Sequence, residues 1–357
     1  MGPKLKDLAK AAGVSVSAAS RALNGYPDVS DTTRKRVLAA AQRLGYRPDP
    51  AARSLVTKKS QSIGVFVLSQ AGPLFSHSFA AEVLDGILDR LAESEYDVVL
   101  FGRSRIETAG SFRTLCAQRR VEAAVFMGLR SDDPRLEELG ELGVPVVTLD
   151  VPLPWANVMC VTCDNAQAAR RAIEHLLALG HRRIGLVNGH EAAPVSTARA
   201  AGYREALLAA GIPPDGTLER TGDFTVDGGR LAALDLLRLA DPPTAIFCAS
   251  DLMALGALRA AEDLGLSVPG DVSVVGFDDI PAAVESRPPL TTVHQPRYAM
   301  GRAAAEAVLQ ATRGLREQNR SEIVLETYLV RRDSTAKPRA KRDEQARSAA
   351  RPRSGGA

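Results

Sequence analysis

From residue 61 onward the chain repeats one unit, a short apolar run followed by an amphipathic segment, and that alternation most narrows what it can fold into. Runs at 63–69, 96–102, 123–128 and 144–150 are strand-like and are separated by helix-like segments such as 79–92. A second series lies at 158–164, 183–188, 244–250 and 272–279, interleaved with amphipathic helices at 166–179, 196–210, 228–239 and 252–264. Such alternation is the signature of parallel doubly wound sheets, and two series imply two lobes. Ligands in this architecture bind beyond the carboxyl ends of the strands, and a cleft between lobes doubles that opportunity.

The first 60 residues follow a different rule. In the stretch LKDLAKAAGVSVSAASRALN, residues 5–24, Leu5, Leu8, Ala9 and Ala12 recur at helical spacing and form one apolar face. Gly13 supplies a turn. Ser15 is placed to cap a helix from Val16 to about Leu23, with Ala19 and Leu23 inward and Val16, Ser17, Ser20 and Arg21 available to a partner. A third helix, capped by Ser30 and ended by Gly45, carries Val37, Leu38, Ala41 and Leu44 inward. A turn of this kind could close an ordinary helical hairpin, but with a third helix to bury the first two it makes a helix-turn-helix whose second helix fits the major groove.

Charge is segregated in the same sense. Residues 1–60 hold twelve basic and four acidic side chains, and residues 334–357 hold seven and two. With the whole chain at only +3, the stretch between carries about −10. A basic head neutralises phosphates by counterion release, while an acidic body is repelled by the duplex. No apolar run approaches the roughly 20 residues of a membrane span, and the N-terminus carries charges where a signal peptide needs its hydrophobic region, which together imply a cytoplasmic protein. Cys116, Cys160, Cys163 and Cys248 are scattered, and the Cys160-x-x-Cys163 pair has no second pair to complete a zinc site, so buried free thiols are expected and no metal or cofactor.

Between head and body, YRPDPAARSLVTKK at 46–59 reads as a linker able to become a short helix, with Asp49 as a cap and Pro50 in the first turn. Under two turns long, it is not stable alone in water. It should order only when packed on a twin and on DNA, with Leu55 as an apolar wedge for a minor-groove step.

Five segments then resemble one family closely: LKDLAKAAGVSVSAASRALNG from Leu5, YRPDPAARSL at 46–55, HLLALGHRRIGLVNG at 175–189, ASDLMALGALRAAEDLGLSVPGDVSVVGFDD at 249–279, and PPLTTVHQP at 288–296. The family is that of the LacI/GalR transcription repressors, whose body is similar to periplasmic sugar-binding proteins, and the resemblance runs from residue 5 to 332. It implies an all-α helix-turn-helix headpiece at 1–48, a hinge helix or linker at 49–60, and a two-lobed α/β body of two doubly wound parallel sheets at 61–333. The first lobe would hold 61–162 plus 293–321 and the second 163–292 plus 322–333. The tail, 334–357, lacks the heptad leucines of a tetramerising helix and is expected to be a disordered basic end.

By the same resemblance the protein would be a homodimer on a near-palindromic DNA operator, controlled by a small-molecule effector of sugar or polyol type. Val16 and Ser17 occupy the base-choosing positions, Arg21 has the fork for a guanine edge or a phosphate, and Ser15, Ser20 and Asn24 position the backbone. Tyr46, Ala52 and Leu55 complete the DNA-contacting set. Ala18 stands where Thr is usual and Asp49 where Asn is common, which removes or alters two backbone contacts. In the body, Arg199 and Asp278 match the effector-binding arginine and the acid ending VVGFDD, expected to face each other across the cleft and hold vicinal hydroxyls. Asp150 joins them, and Phe79 and Phe224 align with ring-packing positions. Ala80 replaces a common aromatic and Ser250 a common Asn, leaving a roomier or differently polar pocket. Asp279 is expected to be structural, because adjacent strand residues point to opposite faces.

An enzyme built on the same fold is the competing class. The chain has no phosphate-cradling G-x-x-x-x-G-K-[ST], no G-x-G-x-x-G after the first strand, no H-E-x-x-H and no G-x-S-x-G, so no catalytic residue is assigned. A corepressor-activated regulator with a non-sugar effector, and a solute receptor without DNA activity, are the remaining alternatives.

Overall fold

The computed structural model describes residues 3–46, 60–68, 78–94, 96–315 and 321–339. They fall into two compact units, Met1–Gln61 and Ser62–Ala357. The first unit contains α1 (Leu5–Ala12), α2 (Val16–Leu23) and α3 (Asp31–Leu44). The helix ends are where local chemistry places them. Asp7 accepts the Lys4 backbone N–H at 2.8 Å, Ser15 Oγ accepts the Ala18 N–H at 3.1 Å, and Ser30 Oγ accepts the Thr33 N–H at 3.3 Å. Gly13 and Gly45 stop α1 and α3 in the left-handed region, each at φ 62°.

The core of this unit is small. Leu8 and Val37 are fully buried and alanines 9, 12, 19, 22, 40 and 41 surround them, so three short helices cross closely. Leu23 packs against this core as expected, and Ala22 is buried beside it. One expectation needs correction: Leu38 and Leu44 are 50% and 38% exposed. Leu38 follows Val37 by one residue, about 100° around the helix, and Leu44 sits in the last turn beyond the edge of the facing helices.

The second unit opens with β1 (Ser62–Val67), α4 (Ser78–Ala92), β2 (Asp97–Phe101), α5 (Arg103–Ala109), α6 (Phe112–Arg119), β3 (Ala123–Met127), α7 (Leu136–Gly140), β4 (Val146–Leu149) and β5 (Val158–Cys163). The chain then crosses to α8 (Asn165–Ala178), β6 (Ile184–Asn188), α9 (Pro194–Ala209), β7 (Glu219–Thr221), α10 (Val226–Leu237), β8 (Ala245–Cys248), α11 (Asp251–Asp263), β9 (Ser273–Asp278), α12 (Pro281–Glu285) and β10 (Thr291–His294). It returns for α13 (Arg297–Thr312) and β11 (Glu322–Leu325), and crosses again to β12 (Tyr328–Val330).

Strand order is β11-β5-β4-β3-β1-β2 in one sheet and β12-β10-β9-β8-β6-β7 in the other. All described pairings are parallel except β10 with β12. The two lobes expected from the alternation are therefore present, with some shifted membership. β5, grouped with the second series by the alternation, belongs to the first sheet as the bound at 162 has it, with Val147 opposite Met159. β11 joins it there rather than the second lobe, with Ile323 opposite Val161, and Val293 and His294 stay in the second sheet rather than the first lobe. The expected disordered tail also starts too early. Ser334 is fully buried and donates to the Val274 carbonyl at 2.6 Å, the His181 Nε2 lies 2.8 Å from the Ala336 carbonyl, and Arg339 pairs with Asp271 at 2.6 Å. Buried groups at the starts of β9 and β10 take these residues up, since Ser334 Oγ also accepts the Thr291 N–H at 2.8 Å and Ser273 Oγ accepts the Ala336 N–H at 3.1 Å, which composition alone does not reveal.

All four cysteines are free and buried, and burial pushes the Cys116, Cys160 and Cys163 thiols up to about 12, far from reactive thiolates. No described helix is long and apolar enough to cross a membrane.

Helices pair tightly on the sheets through glycines. A Cβ on Gly301 of α13 would strike the Val83 carbonyl of α4, and one on Gly256 of α11 would strike the Val226 carbonyl of α10. Because backbone sits on the other side, Gly301→Ala should lower stability by about 1–3 kcal/mol, seen as a lower midpoint in thermal unfolding. An unchanged midpoint would mean that the helices separate at no cost.

Candidate functional site

In the first unit, α2 presents one face outward. Val16 is 42% exposed, Ser17 and Arg21 are exposed, and Ser20 and Asn24 are half-buried. Val16, Ser17, Ser20 and Arg21, with Leu5 and Tyr26, line a surface hollow, and Asn24 lies outside it. Ser15 uses its oxygen as the helix cap, and the Tyr46 N–H bonds the Ala41 carbonyl at 2.9 Å while its ring packs at the core edge. Arg21 is already engaged, its Nη1 lying 2.7 Å from Asp28 Oδ2, a partner that sequence reading missed. Asp49, Ala52 and Leu55 lie outside the described residues.

In the second unit a cavity of about 410 Å³ lies between the lobes at the carboxyl ends of both sheets. That size suits a small organic ligand, for which pockets of about 300–1,000 Å³ are usual. Phe79, Asp150, Arg199, Phe224, Ser250 and Asp278, the six residues expected to bind an effector, all line it. Ser250 also caps α11 by accepting the Met253 N–H at 3.3 Å. Ala80 is buried in the wall, where it leaves space.

One expectation about geometry changes. Arg199 and Asp278 do not face each other across the cleft; both belong to the second lobe, with Nη1 3.9 Å from Oδ1. The reason is that α9 and β9 both belong to the second lobe, and the Arg199 side chain reaches across to the end of β9. Arg199 is 3% exposed, donates to Asn165 Oδ1 at 2.9 Å and the Ala249 carbonyl at 2.5 Å, and stacks on the Phe277 ring at 3.7 Å. The acid from the opposite lobe is Asp150, which accepts from Thr162 Oγ1 at 2.6 Å. Asp279 points away and binds Arg332 at 2.6 Å and His294 at 2.9 Å, a structural role as expected.

Strain concentrates at the same place. Seven described non-glycine residues have positive φ, and five of them, Asp150, Asp223, Phe224, Asp278 and Asp279, sit at carboxyl ends of strands. Phe224, at φ 58°, lies against Gly189, where a Cβ would strike its ring. Unmet polar atoms collect there too. Buried His190 Nδ1 and Gln295 Oε1 belong to pocket-lining residues, and Asn188 Oδ1 and Ser196 Oγ belong to the strand and helix behind them; none has a partner among the described residues. Gln295 Nε2 donates to Asp278 Oδ1 at 2.6 Å. His190 and Gln295 carry no motif by themselves, and only the fold brings them to the wall. Strained strand ends and unpaired polar groups around one cavity mark it as the candidate ligand site.

Residues 4–49 match the lacI family of bacterial regulatory proteins, and residues 173–335 match a periplasmic binding protein-like domain. The chain is 40% identical over 335 residues to the HTH-type transcriptional regulator CelR of Thermobifida fusca, covering 93% of this chain and 98% of that one. The chain belongs to the LacI family. It is a regulator rather than an enzyme, as its relatives are. Among solved structures, the CelR–cellobiose complex aligns with TM-score 0.72 and 38% identity over 93% of this chain and 99% of that one. The lac repressor dimer bound to operator and the anti-inducer ONPF aligns with TM-score 0.79 and 30% identity over 94% and 100%.

Burial raises the Asp278 carboxyl to about 6, against the opposing pull of Arg199 and Arg297, and burial also raises Asp150. A carboxyl that holds its proton longer folded than unfolded favours the fold below its ordinary value of 3.8, and that contribution is lost as pH rises through about 6. Asp278→Asn should therefore raise the unfolding midpoint of the ligand-free protein at about pH 8 and have little effect at about pH 4. Asn also tolerates the positive φ. The same increment at both pH values would show that the carboxyl does not titrate in this range.

Proposed function

We propose that this protein is a cytoplasmic, homodimeric repressor whose α2 helices read the two halves of a near-palindromic operator, and whose grip is controlled by a small sugar or polyol bound between the lobes. The observation that carries the effector half is the cavity itself, walled by ionisable Asp150 and Asp278, the anchored Arg199 and unpaired polar atoms, with Phe79 and Phe224 as ring faces. Carboxylates accept sugar hydroxyls in charge-assisted bonds, and aromatic faces cover the apolar side of the ring. The DNA half is supported by the exposed face of α2 on a strongly basic head. The likeness to a regulator solved with cellobiose and to a repressor dimer solved on operator supports both halves.

The test uses the full chain, an operator selected from a random duplex library, and cellobiose as the first probe at fixed salt. The expected result is release of operator on titration, with Phe224→Ala weakening the sugar response about tenfold or more while operator affinity stays within about twofold. Operator affinity indifferent to every sugar found to bind the body would overturn the allosteric reading, and tighter operator binding would make the sugar a corepressor. Leu55→Ala should weaken operator binding much more than binding to scrambled duplex, since a wedge is usable only where a step opens cheaply. Equal losses would show that Leu55 does not enter the groove.

A further inference from the structure

The recognition helix carries an acid at its side. Arg21, in the last turn of α2, pairs through Nη1 with Asp28 Oδ2 at 2.7 Å, and both side chains are half-exposed, at 55% and 50%. A pair this exposed contributes only about 0–1 kcal/mol to stability, so it does little to hold the fold. What it does fix is direction. The loop bearing Asp28 is tied at several points. Gly25 turns the chain at φ 74°, the Tyr26 N–H bonds the Arg21 carbonyl at 3.1 Å, and the Tyr26 carbonyl accepts from Val29 N at 3.3 Å and from Arg34 Nη2 of α3 at 2.8 Å. Asp28 is thus a carboxylate on a fixed support, and Arg21 is the flexible partner.

We propose that Asp28 is a specificity-determining residue that positions Arg21 for a guanine edge and turns it away from phosphate, a role that rests on the DNA-reading function above. With Nη1 taken, Nε and Nη2 are left, and they make no hydrogen bond among the described residues. Those two N–H groups form one parallel edge of the fork, the arrangement that matches guanine O6 and N7. A phosphate approaching the same edge meets the Asp28 charge close by, whereas an uncharged base edge is less repelled. In a head with twelve basic and four acidic side chains, an acid at this position weakens generic attraction and increases discrimination.

The experiment selects duplexes from a randomised library with the full-length wild type, Arg21→Ala, Asp28→Asn, and the double variant, and measures affinity for the enriched and a scrambled duplex. The wild type should show one symmetric guanine pair that Arg21→Ala no longer selects. Asp28→Asn should lower the preference at that same pair about tenfold, the scale of one well-oriented base contact, and tighten scrambled-duplex binding severalfold. Added to Arg21→Ala it should change nothing further at that pair. Thermal unfolding of Asp28→Asn should match the wild type. Unchanged base preference, or equal weakening on both duplexes, would overturn the proposal. A wild type that enriches no sequence would instead sink the DNA-reading function, and the proposal with it.

Discussion

One buried guanidinium ties the two lobes together behind the pocket wall. Arg297, where the chain returns to the first lobe, is 3% exposed, donates to Glu82 of α4 at 2.8 Å, and bonds the main-chain carbonyls of Asp278 and Asp279 at the end of β9. A buried cation deprived of such partners is costly, so the relative setting of these elements is held by a paired charge and not only by apolar contact. The Asp278 side chain meets the cavity while its carbonyl meets Arg297, which links the pocket wall to α4 of the other lobe through hydrogen bonds. A ligand that prefers one setting of the lobes would act through this link, because only differential contact shifts an equilibrium.

The pocket departs from the rules obeyed elsewhere in the body. Core strands are buried runs such as Ala123–Met127, and helices close on them through glycines. At the strand ends, by contrast, residues hold left-handed backbone, carboxyls are kept from water and side-chain atoms lack partners. Each of these features costs stability, and polar atoms left unpaired beside a cavity are available to a bound group. The head shows the same economy on a smaller scale, with an alanine-rich core leaving the exposed face of α2 free for a partner.

Much of this was legible in the sequence. Ser15, Ser30, Gly13 and Gly45 mark helix ends by their own chemistry, and the structure uses them so. The strand-helix alternation gave two lobes, because burial on a parallel sheet imposes a local pattern. The six effector candidates converge on one cavity, since motif positions fall at strand ends. Less legible were Leu38, Leu44 and Ala22, whose burial depends on where neighbouring helices end, and the packed residues 334–339, whose partners lie far away in sequence.

Local order, charge segregation, the exposed face of α2 and the acids at the strand ends were therefore determined by the sequence itself, because each depends on neighbours within a few residues or on residue type. Tertiary structure decided which sheet β5 and β11 join, that Arg199 and Asp278 share a lobe while Asp150 comes from the other, that His190 and Gln295 reach the wall, and that Asp28 grips Arg21. Those outcomes rest on distances between residues far apart in the chain, which only the packed chain fixes.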